Sequence, residues 1–236
     1  MNVKLIVSGS RPWELWMKHW GLSLLINDSI LFDTFINPRV LFRKRRRAKI
    51  DFGKIKTVII SHDHSDHTGG LWEFLEQRKG MDVYVPAHVR EATKSRIRSL
   101  GGNVIDAPGL KALDADIHIT DEIMGTCNGK PTSEQAVVLK TVKGLVVVVG
   151  CSHPGIVTIV KEVKQAFGAP VYGVIGGFHL RYSSMADVRL CANTLKEEGV
   201  GMVVPLHCTG WRAERIFKDV YREGFVCLRE GQTLSL

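Results

Sequence analysis

Three histidines and two aspartates fall within the six residues His62-Asp63-His64-Ser65-Asp66-His67. Imidazole nitrogens and carboxylate oxygens are the donors that a borderline divalent ion such as zinc accepts. His62 and His64 stand two apart, which puts them on one side of an extended segment. Asp66 and His67 come a turn later, where they can reach a second ion. A loop of this kind works only if something rigid delivers it. The apolar run Thr57-Val58-Ile59-Ile60 immediately before it reads as a strand, and Thr68-Gly69-Gly70 after it lets the chain swing into a helical pattern marked by Leu71, Phe74 and Leu75.

The same arrangement recurs three times in the second half of the chain. Leu145 to Val149 is a continuous β-branched run, the pattern of a buried strand, and ends in Gly150-Cys151-Ser152-His153-Pro154-Gly155. Val171 to Ile175 ends in Gly176-Gly177-Phe178-His179-Leu180, and Met202 to Leu206 ends in His207-Cys208-Thr209-Gly210. Helical patterns separate these strands, over 156–167 with Ile156, Ile159, Val160, Val163 and Phe167 on one face, then with Val188, Cys191, Ala192 and Leu195, and last with Ile216, Phe217, Val220 and Tyr221. One strand-end histidine means little. Three of them together with the first cluster predict a metal site at one edge of an α/β scaffold.

The string H-x-H-x-D-H after an apolar strand, here His62, His64, Asp66 and His67, resembles the signature of the metallo-β-lactamase superfamily. The resemblance implies a mixed α/β fold, the four-layer αβ/βα sandwich, as one domain over 1–236. It implies a pair of divalent ions, zinc first, with iron and manganese as alternatives. His62 and His64, with a later histidine, would hold one ion, and Asp66 and His67, with His207 after Val204-Pro205-Leu206, the other. Asp33, ending the strand before the motif, would lie beneath the ligand loop and hydrogen-bond it in place.

The superfamily's usual third histidine comes just before the strand that Leu145 to Val149 resembles, where this chain has none, and its usual bridging aspartate is replaced by Cys151. His153 therefore ranks first as the missing ligand, ahead of Cys151, which otherwise supports the site, and of Glu134. His179 is read as a pocket residue that touches the substrate, and Asp66 also as the group that orients the attacking water. The three Gly- and His-containing turns, with His19 and Gly21 to Ile26, resemble most a subgroup similar to 7,8-dihydropterin-6-methyl-4-(β-D-ribofuranosyl)aminobenzene-5′-phosphate synthase. Three activities follow from the resemblance: hydrolysis by a metal-activated water, a synthase reaction joining a pterin to a phosphoribosyl-aminobenzene acceptor, and RNA binding or cleavage.

Composition sets the remaining limits. A chain of 236 residues that is 44% hydrophobic can bury a core as one domain. No apolar run approaches the roughly 20 residues of a membrane span, and Met1 to Ile6 reads as a first strand rather than an export signal. Five cysteines without a C-x-x-C pair point to reduced thiols in a cytoplasm. The net charge of +8 favours an anionic small-molecule substrate or another anionic partner, and leaves the oligomeric state open. Part of that charge sits in Arg43-Lys44-Arg45-Arg46-Arg47-Ala48-Lys49, read as a solvated loop or helix face with phosphate steering as the alternative. Asn27-Asp28 marks a hairpin, Gly125 to Ser133 a flexible rim, and Ala87 to Leu100 a basic helix. His118 faces outward from a strand, and Trp13, Trp16 and Trp20 form either an aromatic wall over the site or a loop packed on the core.

Overall fold

The computed structural model describes residues 1–236 except Pro12, Leu15, Trp16, Lys18, Ala107 and Pro108. Trp16 of the expected aromatic wall thus lies outside the described residues. The chain separates into two compact units, Met1–Pro108 with Leu228–Leu236, and Gly109–Cys227.

The first unit is built on a seven-stranded sheet. Its strands are β1 (Asn2–Gly9), β2 (Gly21–Ile26), β3 (Ile30–Phe32), β4 (Thr57–Ile59), β5 (Asp82–Val85) and β6 (Asn103–Asp106), with a seventh, Thr233–Ser235, pairing antiparallel to β1. β2 and β3 are joined by the expected hairpin, Asn27 and Asp28 both adopting left-handed φ (46° and 56°) as a type I′ turn requires. From β3 to β6 the pairing is parallel, so each link needs a crossover. These are helices α1 (Pro38–Arg47), α2 and α3 (Ser65–Thr68 and Leu71–Gln77), and α4 (Glu91–Ser99). Leu41, Leu71, Phe74, Leu75 and Ile97 from the helices pack against Ile6, Leu25, Leu31, Val58 and Val83 of the sheet. α4 begins at Glu91 rather than Ala87, because Pro86 to Val89 forms a turn that leaves His88 exposed.

The second unit carries a six-stranded sheet and a separate hairpin. Strands β7 (Lys111–Ala112), β8 (Ile117–Ile119), β11 (Val137–Thr141) and β12 (Gly144–Val149) pair antiparallel, whereas β12, β13 (Val171–Gly177) and β14 (Met202–Leu206) run parallel. Helices α5 (Ile156–Phe167), α6 (Met185–Glu197) and α7 (Trp211–Tyr221) follow these last three strands, as the sequence periodicity predicts. Ile159, Val160 and Val163 of α5, Val188 and Leu195 of α6, and Ile216 and Phe217 of α7 bury against Val138, Val147, Val149, Val174 and Val203.

Two expectations change. Gly125 to Ser133 is no loose rim: it lies in a hairpin, β9 (Ile123–Cys127) against β10 (Lys130–Glu134), turned by Asn128 and Gly129 with φ of 50° and 74°. His118 is buried and meets Phe167 edge to face at 5.3 Å, because α5 covers that face of β8. Burial, aided by Lys140, lowers its pKa. Phe225 forms an isolated bridge with Val203. No described helix is long and apolar enough to cross a membrane.

Candidate functional site

Parallel strands deliver their C-terminal ends to one edge of a sheet, and the donor residues sit just beyond such ends in both units. In the first unit β4 stops at Ile59, and the chain turns through Ser61 to the one-turn helix α2, which His64 precedes as its cap residue. The rings of His62 and His64 lie 4.6 Å apart between centroids, and those of His62 and His67 4.1 Å apart. His67 Nε2 is 3.6 Å from the Asp66 carboxylate. His62 and His67 are fully buried, whereas His64 and Asp66 are partly open.

The loop is held from below. Asp33, buried and with a left-handed φ of 55°, accepts the Ser61 backbone N–H and hydroxyl at 2.8 Å each, and its second oxygen lies 2.5 Å from His67 Nδ1. The Ser61 hydroxyl in turn lies 2.8 Å from His62 Nδ1. With both Nδ1 atoms occupied, each ring offers Nε2 as its other donor. Thr34 binds the His67 carbonyl through both its backbone N–H and its hydroxyl, at 2.7 and 2.8 Å. Gly21 and Gly70 permit this closeness: a Cβ would stand 2.1 Å from the Asp66 carbonyl oxygen at the first and 2.2 Å from that of Thr34 at the second.

Asp63, the remaining acid of the cluster, turns away from this group. It accepts from Arg90 Nε at 2.6 Å and from the Thr93 hydroxyl at 2.9 Å, tying the loop to the start of α4. That hydrogen bond raises the Arg90 pKa. The sequence carries no signal for this tether, because the partners lie 27 and 30 residues away.

In the second unit three turns follow β12, β13 and β14, and they are laced together. The Ser152 hydroxyl donates to the Gly177 carbonyl at 2.7 Å, the Phe178 N–H to the Thr209 hydroxyl at 2.9 Å, and the Arg181 N–H to the Cys208 carbonyl at 3.1 Å. Ser152, His179 and His207 all adopt left-handed φ, at 61°, 52° and 48°, a conformation that costs about 1–3 kcal/mol per non-glycine residue and clusters at functional sites.

Glu134, the last residue of β10, takes a part that its sequence position does not reveal. Its fully buried carboxylate accepts the backbone N–H groups of Cys151, Ser152 and His153 at 2.7, 2.8 and 2.9 Å, and lies 3.1 Å from His153 Nδ1. Burial would raise its pKa, but these bonds, His153 foremost, hold it below the usual carboxylate range. Both carboxylate oxygens are thus engaged inside the protein, and Glu134 braces His153 instead of competing with it as a metal donor.

His153 is buried and its ring lies 4.6 Å from that of the exposed His179. Donor atoms of Cys127, His153 and His179 fall within 4.8 Å of one another, as do those of Cys151, His179 and Cys208. The Cys208 Sγ lies 3.6 Å from the Cys151 carbonyl oxygen. Burial alone would raise the Cys208 thiol, yet hydrogen bonding with Cys151 and the neighbouring His207 and His179 pull it well below the ordinary thiol range.

Each expected ligand therefore stands at a strand-end turn among other donors: His62, His64, Asp66 and His67 in the first unit, His153, His207 and Cys151 in the second. Such His, Asp and Cys clusters are donor sets suited to a divalent ion.

Comparison with known proteins agrees with this chemistry. The β-lactamase superfamily domain matches residues 28–123. The chain is 30% identical to the 7,8-dihydropterin-6-methyl-4-(β-D-ribofuranosyl)-aminobenzene-5′-phosphate synthase of Methanocaldococcus jannaschii, over 93% of this chain and 90% of that protein. Among solved structures it is similar to a metal-dependent hydrolase of the β-lactamase superfamily, with a TM-score of 0.79 and 27% identity over 100% of this chain and 99% of the other. The metallo-β-lactamase fold protein YhfI from Bacillus subtilis shares the fold, with a TM-score of 0.69 and 17% identity over 99% of each chain.

Proposed function

Since this chain belongs to the metallo-β-lactamase superfamily, in the group similar to the dihydropterin–aminobenzene phosphate synthase, we propose that it is a metal-dependent hydrolase acting on a small anionic substrate. The observation that carries this reading is the orientation of the donor rings. Asp33 occupies His67 Nδ1, Ser61 occupies His62 Nδ1 and Glu134 occupies His153 Nδ1, which leaves Nε2 of each ring as the atom for an ion. A coordinating histidine is commonly oriented in this way by a hydrogen bond at its other nitrogen.

In this reading His62, His64, Asp66 and His67 of the first unit and His153 and His207 of the second would be the residues that hold the divalent metal. Zinc is the first choice for such donors, with iron or manganese as alternatives. Bound there, the ions would polarise the bond under attack and lower the pKa of water from about 15.7 towards 7. The partly open Asp66 carboxylate orients the attacking water and accepts its hydrogen bond. Cys151, in the turn that follows β12 and carries His153, supports the site. His179, exposed beside His153, contacts the substrate's anionic group. The buried braces Asp33 and Glu134 keep the rings from turning while the substrate is held.

Elemental analysis of the purified protein beside His64→Ala tests this assignment, coupled to a screen over phosphoesters, lactones and pterin precursors. About two equivalents of metal, reduced in the variant together with turnover, is the expected result. A protein that takes up no metal after reconstitution, or a variant that keeps full activity, overturns it. The 30% identity to the synthase over most of both chains favours one second reading, condensation of a pterin with a phosphoribosyl-aminobenzene acceptor. Its check is to incubate both precursors with metal and protein and look for the condensed pterin.

A further inference from the structure

We propose that helix α1 is a docking surface for the sugar-phosphate backbone of double-stranded nucleic acid, read without regard to sequence. This reading does not depend on the metal chemistry proposed above.

The helix Pro38–Arg47 contains no acidic residue, and its N-terminal turn is capped by Asn37 through the Arg39 N–H. Arg39, Arg43, Arg46 and Arg47 are exposed. They stand at i, i+4, i+7 and i+8, which aligns them along one face of a helix. Val40 and Leu41 are buried on the other side. Among the described residues none of these four arginines, nor the exposed Lys49 just beyond, has a carboxylate within ion-pairing distance.

Basic residues in a last turn are favoured by the helix dipole, and that accounts for Arg46 and Arg47. It does not account for Arg39, which sits in the first turn where a cation is disfavoured, or for Arg43. An unfavourable, uncompensated row of cations points to an external anion.

An open cleft of about 570 Å³ continues the row at the helix's end, lined by Lys44, Arg47, Lys49 and Glu230. Glu230 is occupied inside the protein: Lys44 pairs with it, and the Ser8 N–H donates to it at 3.3 Å. Arg47 and Lys49 remain to face an anion there.

The type of anion follows from size and composition. Arg39 to Arg47 covers about 12 Å of helix, or about three to four phosphate steps of one strand, longer than a single small phosphate requires. Arginine outnumbers lysine, in keeping with bidentate phosphate contacts. No aromatic ring stands exposed on the helix for unpaired bases to stack on: Phe42 is half-buried beside Arg45, with its ring centroid 5.9 Å from the guanidinium, and Phe52 is buried. Backbone contact without stacking suits a duplex better than a single strand.

The test uses the full chain as purified, and fluorescence anisotropy of labelled 20-base-pair DNA and RNA duplexes across a salt series. Wild type is expected to bind, with affinity falling linearly on a log–log plot against salt. The quadruple variant Arg39→Gln, Arg43→Gln, Arg46→Gln, Arg47→Gln is expected to flatten that slope by about 3 to 4, with unchanged circular dichroism and metal content, since the four side chains are exposed and glutamine is a good helix former. Absence of duplex binding by wild type at low salt, an unchanged slope in the variant, or equal binding to single strands or to phosphatidylserine vesicles would overturn the proposal.

Discussion

Glu134 binds His153 twice, once through the backbone N–H at 2.9 Å and once opposite ring Nδ1 at 3.1 Å. One buried carboxylate thereby fixes both the turn that carries the imidazole and the rotation of the ring upon it. A turn following a strand has few backbone bonds of its own, so an acceptor from a neighbouring hairpin supplies what the ladder cannot.

Replacing Glu134 with Gln leaves one oxygen to serve three backbone donors. We expect a loss of about 2–4 kcal/mol in stability by urea titration, and weaker metal uptake. The pH dependence follows from the direction of the shift. The folded-state pKa is lowered, so the stability its charge contributes is fully present above the unfolded carboxylate value of about 4.3 and is lost as pH falls through the lower folded value. The wild type should weaken over that acid window more steeply than Glu134→Gln. Parallel curves for the two proteins would contradict the assignment.

Asp33→Asn addresses the equivalent brace in the first unit. An amide facing His67 Nδ1 donates where the carboxylate accepted, which shifts the ring proton to Nε2 and removes the donor pair. Metal affinity measured by competition with a chromophoric chelator should fall about 10- to 100-fold. Ser61→Ala, which removes a hydroxyl and spares the carboxylate, should fall less.

Gly125 packs β9 flat against the His153 turn. A Cβ there would stand 2.4 Å from both the His153 carbonyl carbon and the Pro154 nitrogen, and neither backbone atom can step aside. Gly125→Ala should cost about 1–3 kcal/mol and disturb metal binding through His153. Gly129→Ala, in the turn of the same hairpin with nothing within 4 Å, should cost only the strain of its positive φ, about 1 kcal/mol, and leave metal binding alone.

Thiol reactivity should divide by burial. Burial pushes the Cys191 thiol up to about 11, so less than about one part in a thousand is thiolate near neutrality. Cys227 is exposed. Brief alkylation at pH 7.5 followed by peptide mass spectrometry should label Cys227 well before Cys191. Equal labelling would mean that the packing around α6 is looser than its buried neighbours indicate.

Much of this was legible in the residues. H-x-H-x-D-H after an apolar run, and three histidines each following a β-branched strand, mark the donors because both the chemistry and the strand period are local. Apart from Asp33, which the resemblance set beneath the first ligand loop, what escaped was the set of partners that hold the donors still. Glu134 looked like a third-choice ligand at the end of a polar stretch, and its three backbone donors became visible only once β10 was placed beside the turn after β12. The hairpin that carries it was signalled by Asn128-Gly129, a type I′ pair, hidden by the low hydrophobicity of the flanking strands. His118 alternates with Ile117 and Ile119 as an outward residue would, but the helix that covers it lies nearly forty residues further along the chain. The tether from Asp63 to Arg90 and Thr93 is likewise a long-range fact with no local pattern.

The pairing of Asn2 with Ser235 has a consequence for biosynthesis. A ribosome must release the whole of Gly109–Cys227 before β1 meets its outer neighbour, and at about 5–20 residues per second that takes on the order of ten seconds. Throughout that interval the exposed edge of β1 is an open template for any stray strand. Holdase chaperones would have their strongest claim on the nascent chain during that delay, ahead of the last nine residues.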